Sequence, residues 1–103
     1  MMPKAFGRSW ASELFRLKFL GRALDDLAGI DQPHQRIIKE KLIILAENPE
    51  ALKNNIKRLG GDIEDLYRLR VGRFRIIFKK NEAELLILII RIGHRKDVYL
   101  SLN

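Results

Sequence analysis

Cysteine is absent from the 103 residues, which rules out disulfides and thiolate metal ligands. Histidine is nearly as scarce. His34 and His94 stand 60 positions apart, too few and too separated to suggest a protein-held transition metal, so no metal or cofactor is expected. Long apolar runs are missing as well. The longest, residues 85–90, falls far short of the ~20 residues a membrane-spanning helix requires. The first eight residues, MMPKAFGR, contain no continuous apolar core of a secretory signal, so the expected compartment is the cytoplasm. Carboxylates are also under-represented. Thirteen Asp and Glu face twenty Lys and Arg, a net charge of +7 and a pI near 10.1.

What remains is one domain's worth of chain, with 47% hydrophobic and 32% charged residues, an ordinary globular balance. The excess positive charge suits a polyanionic partner and is unevenly spread. Residues 1–64 carry 11 basic and 9 acidic groups, whereas residues 65–103 carry 9 basic and 4 acidic groups. The C-terminal third is where an anion is expected to bind.

Residues 14–20 alternate Phe15, Leu17 and Phe19 against Arg16 and Lys18, the pattern of a half-buried strand. Residues 21–28 place Leu24, Leu27 and Ala28 on one helical stripe, with Gly29 as the stop. A second helix follows, capped by Asp31, with Pro33 in its first turn and Ile38, Leu42 and Leu45 at helical spacing. Asn48-Pro49 ends it. The short link predicts an antiparallel helical hairpin, and residues 49–64 read as a connector. Three strands come next, over residues 66–71, 73–79 and 84–92, with Gly72 and residues 80–82 as turns. The last is nearly all apolar, as in a central strand buried on both faces, and the first strand is expected beside it. The expected fold is α+β with the order β-α-α-β-β-β, the helical hairpin lying on one face of a mainly antiparallel four-stranded sheet.

The segment Tyr67-Arg68-Leu69-Arg70-Val71-Gly72-Arg73-Phe74-Arg75-Ile76 carries the most information. Side chains alternate between faces along a strand. A two- or four-residue loop centred on Val71-Gly72 pairs Arg70 with Arg73 and Arg68 with Arg75. All four arginines then share one face, and Tyr67, Leu69, Phe74 and Ile76 pack on the helices. Guanidinium forks match phosphate oxygens, so such a cluster is a preorganised phosphate site. An ordinary solvated strand face would show the same alternation, and a three-residue loop would move Arg73 and Arg75 to the other side. A second basic group leaves the end of the last strand: Arg91, His94, Arg95 and Lys96, followed by Tyr99.

Together, LYRLRVGRFRIIF at residues 66–78 and RIGHRKDVY at residues 91–99 resemble the RelE family of bacterial and archaeal toxins, over roughly residues 14–100. On this reading residues 1–12 are an N-terminal extension and residues 13–103 a single RelE-like domain. The resemblance implies a toxin of a type II toxin–antitoxin pair. It implies a ribosome-dependent endoribonuclease, or messenger RNA interferase, that needs no metal and cuts in the A site through attack by the ribose 2′-hydroxyl. Implied partners are the ribosome, messenger RNA and a RelB-like antitoxin, in a heterotetramer or larger complex; no membrane is implied. The family's basic residues fall on Arg68, Arg70, Arg75 and Arg95, and its C-terminal aromatic on Tyr99. Arg73, Lys96 and Arg91 are added as RNA contacts.

Guanidinium groups suit the charge that grows on phosphate oxygens in the transition state. Tyr99 suits stacking on a base. Some family members carry lysine where this chain has Arg68 and Arg70, and arginine does not give up its proton. The expected general base is therefore His94, with Tyr99 as the alternative, or else the ribosome supplies most of the acceleration by positioning. Two other readings stay open: a ParE-like inhibitor of DNA gyrase, and a non-catalytic RNA-binding domain of the same fold, whose binding would weaken steeply with salt.

Overall fold

Alternation in the first strand and helical spacing after it produce the elements their patterns call for. The computed structural model describes residues 14–59 and 66–94. Strand β1 spans Arg16–Phe19, helix α1 Gly21–Ala28 and helix α2 Gln32–Glu47. A 3-10 helix, Pro49–Asn55, leads into β2, Ile56–Arg58. Strands β3, Leu66–Val71, β4, Phe74–Asn81, and β5, Leu86–His94, complete the sheet. Its order is β1-β5-β4-β3-β2, with β1 parallel to β5 and every other pair antiparallel.

The α+β class, the helix pair and the flanking of β5 by β1 are as expected. The sheet, however, has five strands instead of four. The extra one is β2, inside what reads as a connector; Ile56-Lys57-Arg58 is too short to show a period, and it forms only by pairing with Leu69, Arg68 and Tyr67. The most buried strand is β4 rather than β5. Phe74 to Phe78 are all buried, Arg75 among them.

One core lies between the helices and the sheet. Ala23 and Leu27 of α1, and Ile38, Leu42 and Leu45 of α2, pack on Leu69, Ile76, Phe78, Ile87, Ile89 and Ile92. Burying each such side chain contributes about 1.5–3 kcal/mol. The link between the helices is closed by Gln35, whose Nε2 donates to the carbonyls of Leu27 (2.8 Å) and Ile30 (2.9 Å). It thus satisfies acceptors that the end of α1 leaves open. Asp31 holds the N-cap position of α2, but its carboxylate accepts from the His34 ring at 2.8 and 2.9 Å and not from the backbone. That hydrogen bond holds the Asp31 carboxyl below its ordinary pKa.

Two details of the sheet decide where functional side chains go. The β3–β4 hairpin turns on Gly72-Arg73, so Val71 pairs with Phe74, Arg70 with Arg75, and Arg68 with Ile77. The expected register, with Arg70 opposite Arg73, is displaced by two residues. Val71 is buried and stays in the strand opposite buried Phe74 instead of being spent in a turn. Gly72, at φ +59°, supplies the positive φ a two-residue hairpin loop needs at its first position. In β5, pairing passes from Phe78–Ile89 to Ile77–Arg91, leaving Ile90 as a bulge. Ile87 and Ile89 face the helices before it; Ile92 and His94 face them after it. A bulge reverses the alternation, as one added residue must.

A guanidinium face on the sheet

Residues directly opposite on neighbouring strands share a face. Arg70 and Arg75 are such a pair, and Arg68 lies two residues from Arg70 on the same strand. Arg68, Arg70 and Arg75 therefore share the face turned away from α1 and α2. The two-residue displacement of the hairpin preserves this parity. Arg73 does not pair; it sits exposed in the turn at the edge of the cluster. Lys57 on β2 faces Arg68 and extends the group, a residue missed because β2 itself was invisible.

The cluster is held, not floppy. Arg75 is 9% exposed, and its Nη1 donates to the carbonyls of Gly72 and Phe74 at 3.1 Å each. These bonds fix the guanidinium beside the turn. Arg70 is exposed directly across from it. Arg68 is half-buried, and its Nε is buried with no hydrogen-bond partner. A desolvated donor left unpaired costs about 1–3 kcal/mol, which an incoming acceptor oxygen recovers. Opposed like charges cost a further ~0.2–1 kcal/mol per pair. Among the described residues, the Arg68 Nε is thus a donor without an acceptor on this face.

Two residues expected in the cluster lie elsewhere. His94 is on the helix side: its ring packs on Phe74 at 4.7 Å, and Phe74 in turn meets the His34 ring at 5.3 Å. It borders a groove of about 520 Å³ whose walls include Asp25, Asp26 and Asp31. Parity after the bulge at Ile90 puts His94 on this side of the sheet, away from Arg68, Arg70 and Arg75. Arg91 is also drawn to the helices. Its Nε and Nη2 donate to Asp26 at 2.8 and 3.2 Å, and the same carboxylate accepts from the backbone N–H of Ile92 at 2.9 Å. Asp26 raises the Arg91 pKa above its ordinary range. Arg91 and Ile92 are thus clamped to α1 through one carboxylate. Arg95, Lys96 and Tyr99 lie outside the described residues.

The clamp makes a stability prediction. Asp26→Ala strands a guanidinium only 20% exposed together with a backbone donor, at an expected cost of about 1–3 kcal/mol. A melting temperature lower by roughly 5–15 °C is expected. Asp26→Asn, which retains an acceptor, should lose less; an unchanged melting temperature in the alanine variant would count against the clamp.

Comparisons with known proteins agree with this fold. The family model for the ParE toxin of type II toxin–antitoxin systems matches residues 17–99. The RelE1 protein of Methanocaldococcus jannaschii is 31% identical over 86 residues, covering 82% of this chain and 94% of the relative. The RelE–RelB complex of Pyrococcus horikoshii OT3 contains a chain that superposes with a TM-score of 0.70 at 27% identity, covering 81% of this chain and 97% of that one. The intact RelBE complex of E. coli gives 0.65 at 22% identity, with coverages of 81% and 98%, a likeness of fold alone. With the family model spanning both the guanidinium face and the strands that build it, the chain belongs to the RelE/ParE superfamily of type II toxin–antitoxin toxins and is RelE-like.

Proposed function

We propose that this toxin is an endoribonuclease that cuts messenger RNA in the ribosomal A site by attack of a ribose 2′-hydroxyl on the adjacent phosphate. The observation that carries this reading is the buried, unpartnered Nε of Arg68, within a face that also presents Arg70 and Arg75. In-line attack builds negative charge on the phosphate oxygens. Guanidinium groups set in a sheet meet that charge without reorganising, and so supply by electrostatics what a metal supplies in other nucleases. Arg95 would add to this charge and Tyr99 would stack on a base, with Arg73 and Lys96 as flanking RNA contacts.

With His94 on the helix side, the 2′-hydroxyl's proton goes to Tyr99 or to solvent; the P–O5′ bond breaks as the 2′,3′-cyclic phosphate forms, the 5′-oxygen takes a proton from solvent, and alignment by the ribosome supplies much of the acceleration. The toxin works in the cytoplasm, where a RelB-like antitoxin restrains it in a heterotetramer or larger complex. Exposed Leu24, Ile37 and Ile43 on the helices offer apolar contacts for such a partner, whose acidic groups would cover the arginines.

Gyrase inhibition is the second reading, because the matching family model is that of ParE toxins. Primer extension on messenger RNA from a translating extract separates the two. Cuts within codons are expected with the wild type, a drop of at least 100-fold with Arg68→Ala, and a rate within twofold of wild type with His94→Ala. Intact transcripts together with DNA damage in cells would replace the nuclease by the gyrase inhibitor. A strong loss in His94→Ala would restore the histidine as base.

A further inference from the structure

The five strands hold ten Lys and Arg and no Asp or Glu. Every described carboxylate lies on a helix, at a helix cap or in the β4–β5 turn. A merely solvated sheet mixes both signs, and edge strands need only a lysine or two to stay unpaired. Among the described residues the strands of this sheet carry one sign only, well beyond the arginine cluster.

The register places the remainder. Arg16 and Lys18 of β1 pair with Leu86 and Leu88 of β5, and Leu88 pairs in turn with Lys79 of β4. Leu17 and Phe19 pack against the core, so Arg16 and Lys18 project from the opposite face, turned away from α1 and α2, where both are exposed. Half-buried Leu86 and Leu88 lie next to them. A row of cations is what tracks the backbone of a single-stranded nucleic acid, and the apolar strip beside it offers dispersion contact to bases. β1 lies three strand spacings from β3, about 14 Å. Lys18 is level with Leu88, five positions before Gly93, which pairs with Arg75. One phosphate cannot touch both groups.

We propose that Arg16 and Lys18, with Leu86 and Leu88 beside them, form a second RNA-binding row that holds phosphates of the same single strand several nucleotides away from the arginine cluster. The proposal rests on the reading of RNA as the ligand, but not on cleavage.

The test is equilibrium binding of the full-length toxin to fluorescein-labelled, uncleavable 2′-O-methyl oligouridylates of 4 and 12 nucleotides over a series of salt concentrations. Arg16→Ser/Lys18→Ser is compared with Arg36→Ser/Lys39→Ser, which removes the same charge from exposed positions of α2. Losing two phosphate contacts should flatten the slope of log K against log salt by about 1.4 for the 12-mer. Affinity for the 4-mer should stay within twofold, and the α2 variant should keep the wild-type slope. An unchanged 12-mer slope in the β1 variant, or an equal loss in the α2 variant, would overturn the row. Tight, salt-dependent binding by a protein that cuts no transcript would instead remove the nuclease and leave the row standing.

Discussion

Arg70→Glu should give a protein that melts higher than the wild type and no longer arrests growth. Arg70 is exposed and directly opposite Arg75, which is 9% exposed and tied to the turn carbonyls. Reversing its charge turns a like-charged cross-strand pair into an opposite one. Each arrangement differs from a neutral pair by about 0.2–1 kcal/mol, so the gain is roughly 0.5–2 kcal/mol. At this size that corresponds to a melting temperature several degrees higher. On the proposed function the same change removes a charge-assisted contact to phosphate, worth about 1.5–3 kcal/mol, and adds repulsion. At ~1.4 kcal/mol per tenfold, the lost contact alone should lower activity roughly 10- to 100-fold. Thermal melts and a growth assay on one variant read both effects. A lower melting temperature with undiminished toxicity would refute the assignment of Arg70 to an anion site.

The largest stability loss is expected from Phe78→Ala. Phe78 is 1% exposed and stacks on Tyr67 with ring centroids 5.5 Å apart and an interplanar angle of 17°. It also pairs with Ile89 at the last regular step before the bulge. Emptying such a site costs about 3–5 kcal/mol. A domain of this kind has only ~5–15 kcal/mol in total. Chemical denaturation should show the loss directly, and heating should show a midpoint lower by roughly 15 °C or more. A loss under 1 kcal/mol would mean that the core is centred elsewhere.

Much of this architecture is legible from local chemistry. Gly29 and Pro49 bound the helices because neither a helix-ending glycine nor a proline depends on distant contacts. The arginine face also survives from sequence to structure, for a specific reason. A hairpin slip of two residues preserves parity, so Arg68, Arg70 and Arg75 stay together although their partners differ. Other features depend on tertiary pairing and carry no periodic signal. Ile56-Lys57-Arg58 is too short to alternate visibly. Within the run from Leu85 to Ile92 every residue but Arg91 is apolar, so either phase of alternation fits and the bulge at Ile90 is invisible. That one residue turns His94 toward Phe74, which is why the expected base lies on the helix side, while Arg91, level with Ile77, is held by its bonds to Asp26 of α1.

The parallel union of β1 with β5 has a consequence for how the molecule comes into being. Arg16 meets Leu86 across 69 intervening positions, a closure made only after β5 exists. A ribosome making this chain therefore holds an unfinished sheet, with β1 unmatched, until β5 has been synthesised. Fragments ending before Leu86 should be inert and protease-sensitive, because the strand that β1 pairs with is missing from them.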